Sequence, residues 1–147
     1  YIPSSKWRLM IKIQKKDFDL EIEIKKIKDN FSSVGAVSTF IGYVRDLNNH
    51  KDVKYIQLEV YNEMATKELS KIKDIAKKKW GLTECLIIHR YGKLNVNEKI
   101  VLVACFAEHR KNTLEACEYI MAYLKKDAPL WKKEFYLEGS DWLKNTN

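Results

Sequence analysis

The order of apolar and polar positions divides the chain into strands and helices before any other property is considered. Arg8 to Gln14 alternates, with Leu9, Ile11 and Ile13 on one side, and predicts a first strand. Asp17 or Asp19 suits the start of a helix running to about Asp29, with Leu20, Ile24 and Ile27 as its apolar stripe. Gly35 to Val44 is rich in strand formers and ends at Arg45 and Asp46, and the polar stretch Leu47 to Asp52 reads as a mobile loop. Val53 to Tyr61 alternates, setting Val53, Tyr55, Gln57 and Glu59 against Ile56, Leu58 and Val60. Asn62 is then expected to cap a helix whose buried line is Ala65, Leu69, Ile72, Ala76 and Trp80, stopped by Gly81.

Glu84 to Tyr91 predicts another strand, and Gly92 to Asn97 a turn. Lys99 to Ala107 is apolar almost throughout, the mark of a central strand covered on both faces. A long helix follows, with Leu114, Cys117, Met121 and Leu124 as its stripe, ending before Pro129. Phe135 to Leu137 suits a late strand and Asp141 to Lys144 a helical turn. The order β-α-β-β-α-β-β-α-β mixes hairpin and crossover connections. It predicts an α+β fold with a mixed, mostly antiparallel sheet and three main helices.

With 147 residues the chain is long enough for one domain with its own core, expected over 10–147. Residues 1–9 precede Met10 and read as an upstream extension or a leftover of cloning. A formal net charge of +7 points to an anionic partner: nucleic acid, an acidic protein or an anionic small molecule. No apolar run is long enough to span a membrane and no signal-peptide pattern opens the chain, so a cytoplasmic location is expected. Cys85, Cys105 and Cys117 are odd in number, lack C-x-x-C spacing and sit among apolar neighbours. They read as reduced core thiols, with no metal site implied.

The chemistry concentrates in EHRKNTLEACEYIMAYLKKDAPLWKKE, residues 108–134. His109 and Arg110 stand where a strand hands over to a helix. There, unsatisfied N–H groups and the helix dipole favour an anion, and an arginine adds a bidentate contact. Without a ligand the same pair is a surface helix cap. His89-Arg90 has similar composition but no helix start, and reads as structural. Lys125, at the far end of the helix, and Lys132, after the proline turn, follow apolar residues. Mutual repulsion and partial burial would make either amine a usable acid or base; in a lysine-rich chain the plain alternative is two solvated lysines. The helix and turn together predict a cradle for an anionic substrate. Arg45 ends a strand at a loop, a frequent place for a binding residue. Lys77-Lys78-Lys79 reads as the wet end of a helix, with a nucleic-acid patch as the alternative.

Taken together, GAVSTFIGYVRD from Gly35, LEVYNEM from Leu58, IIHRYGKL from Ile87, then AEHR, YIMAYLK and APLWKKE, resemble the large, catalytic subunit family of molybdopterin synthase over Met10 to about Leu143. The resemblance implies an α/β-hammerhead type of α+β fold. It implies a homodimer carrying two small ubiquitin-like subunits as a heterotetramer. It also implies sulfur transfer from the small subunit's C-terminal thiocarboxylate to cyclic pyranopterin monophosphate (precursor Z), with no metal, nucleotide or other cofactor required.

In that scheme Lys125 and Lys132 match the family's catalytic lysines, His109 and Arg110 its substrate-binding pair, and Arg45 its strand-end arginine. Tyr43, Val44, Lys133 and Glu134 flank the pterin, and Phe40 and Met121 line the pocket. A tyrosine at 43, where such proteins often carry a lysine or a small or apolar residue, speaks against a charged role there. The readings from other classes are a basic α+β domain that binds RNA without catalysis, and a scaffold that only holds a ubiquitin-like partner.

Overall fold

In the computed structural model, which describes residues 10–48, 51–126, 131–137 and 142–144, the central apolar run becomes the middle of a four-stranded sheet. Its strands are β1 (Ile11–Gln14), β5 (Glu84–Arg90), β7 (Lys99–Ala107) and β2 (Ala36–Tyr43), in that spatial order. β1 runs parallel to β5, and the β5–β7 and β7–β2 pairs are antiparallel. Every residue of β5, and Val101 to Ala107 of β7, is buried. Both strands are covered on two faces, as their unbroken apolar runs imply.

Helix α1 (Leu20–Lys28) covers one face. Its cap is Asp19, whose carboxylate accepts from Ile22 N at 3.0 Å. Phe18, Ile27, Leu86, Ile88, Leu102 and Phe106 form the core beneath it. Helices α2 (Asn62–Trp80) and α3 (Arg110–Lys126) cover the other face over Leu69, Ile72, Ile87, Val103, Cys105, Ala116 and Ile120. Gly81 ends α2 in the left-handed conformation at φ 60. The N-cap of α2 is Tyr61, without a side-chain bond; Asn62 is already helical and accepts from Thr66 Oγ1 at 3.2 Å.

The stripe of α3 is rotated from the expected one. Thr113, Ala116, Cys117 and Ile120 face the sheet, while Leu114 is 59% exposed. A hydroxyl chain sets this angle: Ser38 donates to Thr113 Oγ1 at 2.6 Å, and Thr113 donates to the Arg110 carbonyl at 2.8 Å. Two short polar residues therefore fix a face that apolar spacing alone assigns one step away.

A second sheet is the main departure from the sequence reading. β3 (Leu47–Asn48) pairs with β4 (Lys51–Val60), β4 with both β6 (Gly92–Asn95) and β8 (Trp131–Leu137), and β8 with β9 (Trp142–Lys144). The expected loop at 47–52 is thus partly hairpin, the expected turn at 92–97 is mostly strand, and the expected last helical turn is strand. Gly92, at φ 92, provides the bend by which the chain leaves β5 and joins this second sheet. A register shift between Val53 and Tyr55 puts Val53 in the core with Ile56, where alternation assigned it to the side of Tyr55. Asn49, His50 and the expected extension at 1–9 lie outside the described residues.

Gly35 holds the start of β2 against the β7–α3 turn. Its N–H donates to Ala107 O at 2.9 Å, and a Cβ there would come well inside van der Waals contact with the Glu108 carbonyl oxygen. Gly35→Ala is therefore expected to destabilise the protein by about 1–3 kcal/mol, the usual cost of forcing backbone apart. A lowered urea midpoint at unchanged slope is the measurement.

Candidate active site

Arg45 follows β2 by two residues, at the end where Tyr43 pairs with Lys99. Backbone bonds hold the segment: Val44 N donates to Glu98 O and Asn97 N donates to Val44 O, each at 2.9 Å, and Val53 N donates to Asp46 O at 2.8 Å. Val44 is buried between the two sheets while Tyr43 and Arg45 are exposed. Here Tyr43, Val44 and Arg45 join Ile56, Ile100, Lys133 and Phe135 in a cleft of about 130 Å³.

Strand alternation decides which side chain of β8 enters that cleft. Trp131, Lys133 and Phe135 share the inner face, opposite Val60, Leu58 and Ile56 of β4. Lys132, Glu134 and Tyr136 share the outer face, opposite Glu59, Gln57 and Tyr55. Lys132 Nζ lies 3.6 Å from Glu134 Oε1, and the Tyr136 hydroxyl donates to Glu134 Oε2 at 3.3 Å, stacked on Tyr55 at 4.5 Å. Burial holds the Lys133 amine below its ordinary value. Lys125 and Lys132 are exposed.

The remaining site residues fall into two groups. Lys125 is the last residue but one of α3, and Trp131 follows Lys126 by five residues, so the end of α3 and the start of β8 are within about 18 Å of each other. His109 and Arg110 open α3, about 22 Å from Lys125 at 1.5 Å per residue. They also lie at the Ala36–Ala107 end of β2, about 23 Å from its Tyr43 end. The expected cradle joining His109 and Arg110 to the lysines is therefore not assembled within one chain, because the helix is too long. Both residues are exposed, and no acidic residue occupies the first turn of α3. Phe40 is 41% exposed on β2 and Met121 packs partly against the core; neither lines the cleft.

Other features of the sequence reading become structural. Lys77 pairs with the buried Glu84 at 3.2 Å, and Lys79 lies over Trp80 and Tyr119. That lysine run is therefore largely committed to the fold. The three cysteines are buried, and Cys85 and Cys105 face each other across β5 and β7. Cys117's thiol is held far above the ordinary range by its hydrogen bond with Cys105 and by burial, which makes it a poor nucleophile. Among the described residues no helix is long and apolar enough to cross a membrane.

Sequence reasoning missed Ile56, Ile100 and Phe135 as cleft walls and did not separate Lys132 from Lys133. The available signal was the alternation WKKEFYL itself, which places Trp131, Lys133 and Phe135 together once the strand is started at Trp131.

The fold and site define an α+β protein with a basic cleft where a mixed sheet meets a second, antiparallel one. Residues 13–127 match the family model described as MoaE protein, and the chain belongs to that family. It is 45% identical over 133 residues to the molybdopterin synthase catalytic subunit of Ralstonia nicotianae, covering 90% of this chain and 76% of that protein. It is 39% identical over 127 residues to the subunit of the same name from Pyrococcus abyssi, covering 86% and 84%. The crystal structure of molybdopterin synthase from Staphylococcus aureus superposes with a TM-score of 0.80 at 29% identity, covering 92% of this chain and 98% of that one. These relatives support the enzymatic reading and give the RNA-binding alternative no support.

Proposed function

We propose that this chain is the large, catalytic subunit of a molybdopterin synthase. It takes sulfur from the thiocarboxylated C-terminus of a small ubiquitin-like subunit and passes it to cyclic pyranopterin monophosphate, building the dithiolene and opening the cyclic phosphate. The observation that carries the reading is the cleft where Arg45 and the half-buried Lys133 meet across apolar walls, in a chain of this family.

Both reactants are anions, so their approach requires fixed positive charge in a partly dry site. Arg45 holds phosphate at the cleft mouth and Lys133 supplies charge inside it. Lys125 orients the thiocarboxylate and moves protons as sulfur adds to the pterin carbon. Lys132, on the outer face with Glu134, acts on the adduct or on ring opening when the partner's tail covers that face. A cleft of about 130 Å³ is well below the roughly 300 Å³ or more of a closed ligand pocket. Further walls therefore come from the small subunit and from a second copy of this chain. In a homodimer, His109 and Arg110 serve the neighbour's site, which accounts for their distance from Lys125. The net charge of +7 steers an acidic small subunit toward the complex.

The test is incubation of the protein with thiocarboxylated small subunit and precursor Z. Formation of molybdopterin is expected, with loss of the thiocarboxylate. Binding of both reactants without product would leave only the scaffold reading.

A further inference from the structure

The pair His89-Arg90, which the sequence presents as purely structural, divides its tasks on folding. Arg90 is a clamp: its guanidinium donates to Lys15 O at 3.0 and 3.1 Å, to Lys99 O at 2.9 Å and to Glu98 Oε1 at 3.3 Å. His89 points elsewhere. Its ring stacks on Trp131, with centroids 3.6 Å apart and planes 17° from parallel. His89 belongs to β5 of the first sheet and Trp131 opens β8 of the second, so this contact joins the two sheets where the lysine segment begins.

Several observations give the stack a directing role. His89 Nδ1 lies 3.0 Å from the Arg90 carbonyl oxygen, which only accepts, so Nδ1 carries the proton and the ring is held in one orientation. The Trp131 indole N–H is buried and finds no acceptor among the described residues, so packing rather than a hydrogen bond orients that indole. Trp131 and Lys133 share one face of β8, and Lys133 is near enough for its charge to act on the imidazole. Displacing Trp131 would therefore displace the start of β8 and, two residues on, the depth at which Lys133 sits in the cleft.

We propose that His89 is a positioning residue for sulfur transfer: its fixed flat ring seats Trp131, and through Trp131 the start of β8, so that Lys133, which the pairing with β4 turns toward the cleft, reaches the right depth beside Arg45. This rests on the sulfur-transfer reading and adds a residue outside the cleft to it.

The test compares His89→Phe, which keeps a flat ring, with His89→Leu, which fills the space without one. Turnover is read with thiocarboxylated small subunit at saturating precursor Z. Lys133 is read separately, by competitive acetylation of all lysines followed by mass spectrometry. His89→Phe is expected to stay within about threefold of wild type in both readings. His89→Leu is expected to lose at least about tenfold in single-turnover rate with little change in precursor affinity, the effect of a small misplacement. Its Lys133 reactivity should move toward that of the exposed lysines.

A folded His89→Leu protein with wild-type Lys133 reactivity, or with wild-type turnover, overturns the proposal. If His89→Leu does not fold, Trp131→Leu takes its place with the same readings. A wild type that makes no product sinks the sulfur-transfer reading, and the acetylation pattern alone then decides whether His89 positions Lys133.

Discussion

Lys125→Ala is expected to slow single-turnover molybdopterin formation by at least about a hundredfold, the scale of a lost proton-transfer group, while precursor affinity changes by less than about threefold. Lys125 stands in the last turn of α3, where the carbonyl end of the dipole favours its charge. It is exposed, and none of the described carboxylates pairs with it, so it is available to a tail that arrives from another subunit. Lys125→Arg is expected to restore little, since a guanidinium stays protonated and cannot shuttle a proton. Arg110→Ala provides the contrast. It removes a charge-assisted contact at a helix start that keeps its own N–H donors, so affinity should fall by about ten- to a hundredfold with turnover at saturation nearly intact. The measurement is single-turnover product formation at saturating precursor beside precursor binding. Near-normal turnover with lost affinity in Lys125→Ala would place that lysine in the anion clamp with Arg45.

The parts of this fold legible in the sequence are those where one physical signal dominates. The unbroken apolar run of β7 has no stable place except the middle of a sheet. Gly81 ends α2 because the chain turns left-handed there. Asp19 caps α1 through a bond that a carboxylate three residues ahead of an N–H makes readily. Of the second sheet only β4 and the end of β8 were legible, because its other strands are short and form only against their partners. β6 has four residues and β9 three, too few for a period, and each becomes a strand only through β4 or β8. Val53 was misassigned because a bulge breaks the alternation at Lys54, and a bulge is decided by the partner strand.

The candidate site divides along the same line. Arg45 was visible as a strand end, and His109 and Arg110 as a helix start. What no local pattern carries is distance along α3, which separates the pair from Lys125, or the identity of the ring lying against Trp131. His89-Arg90 and His109-Arg110 are alike in composition and are separated in the sequence only by the helix start after His109; burial makes the first a junction between sheets and leaves the second exposed.

Acidification is expected to destabilise this protein through His89 by about 3 kcal/mol between pH 6.5 and pH 4. Burial lowers the imidazole from 6.5 to about 4, with the Arg90 carbonyl opposing this and the charge of Lys133 adding to it. In the unfolded chain the same ring takes its proton near 6.5. Between those values the unfolded state binds one proton more than the native state, so stability falls as pH falls. Above 6.5 neither state is protonated and the effect is absent; below about 4 both are, and the loss is complete. A fall of about 2.5 pKa units at 1.36 kcal/mol each gives the figure. Carboxylates in general take up protons over part of the same range, so the wild-type curve alone does not isolate His89. His89→Phe isolates it: the variant keeps those carboxylates and a flat ring against Trp131 but has no imidazole to protonate. Urea unfolding of both proteins at pH 7 and pH 4 should show the variant losing about 3 kcal/mol less than wild type. An equal loss in the two would mean that the imidazole accepts its proton in the native state at its ordinary value, and that the Trp131 stack opens to water well before the fold does.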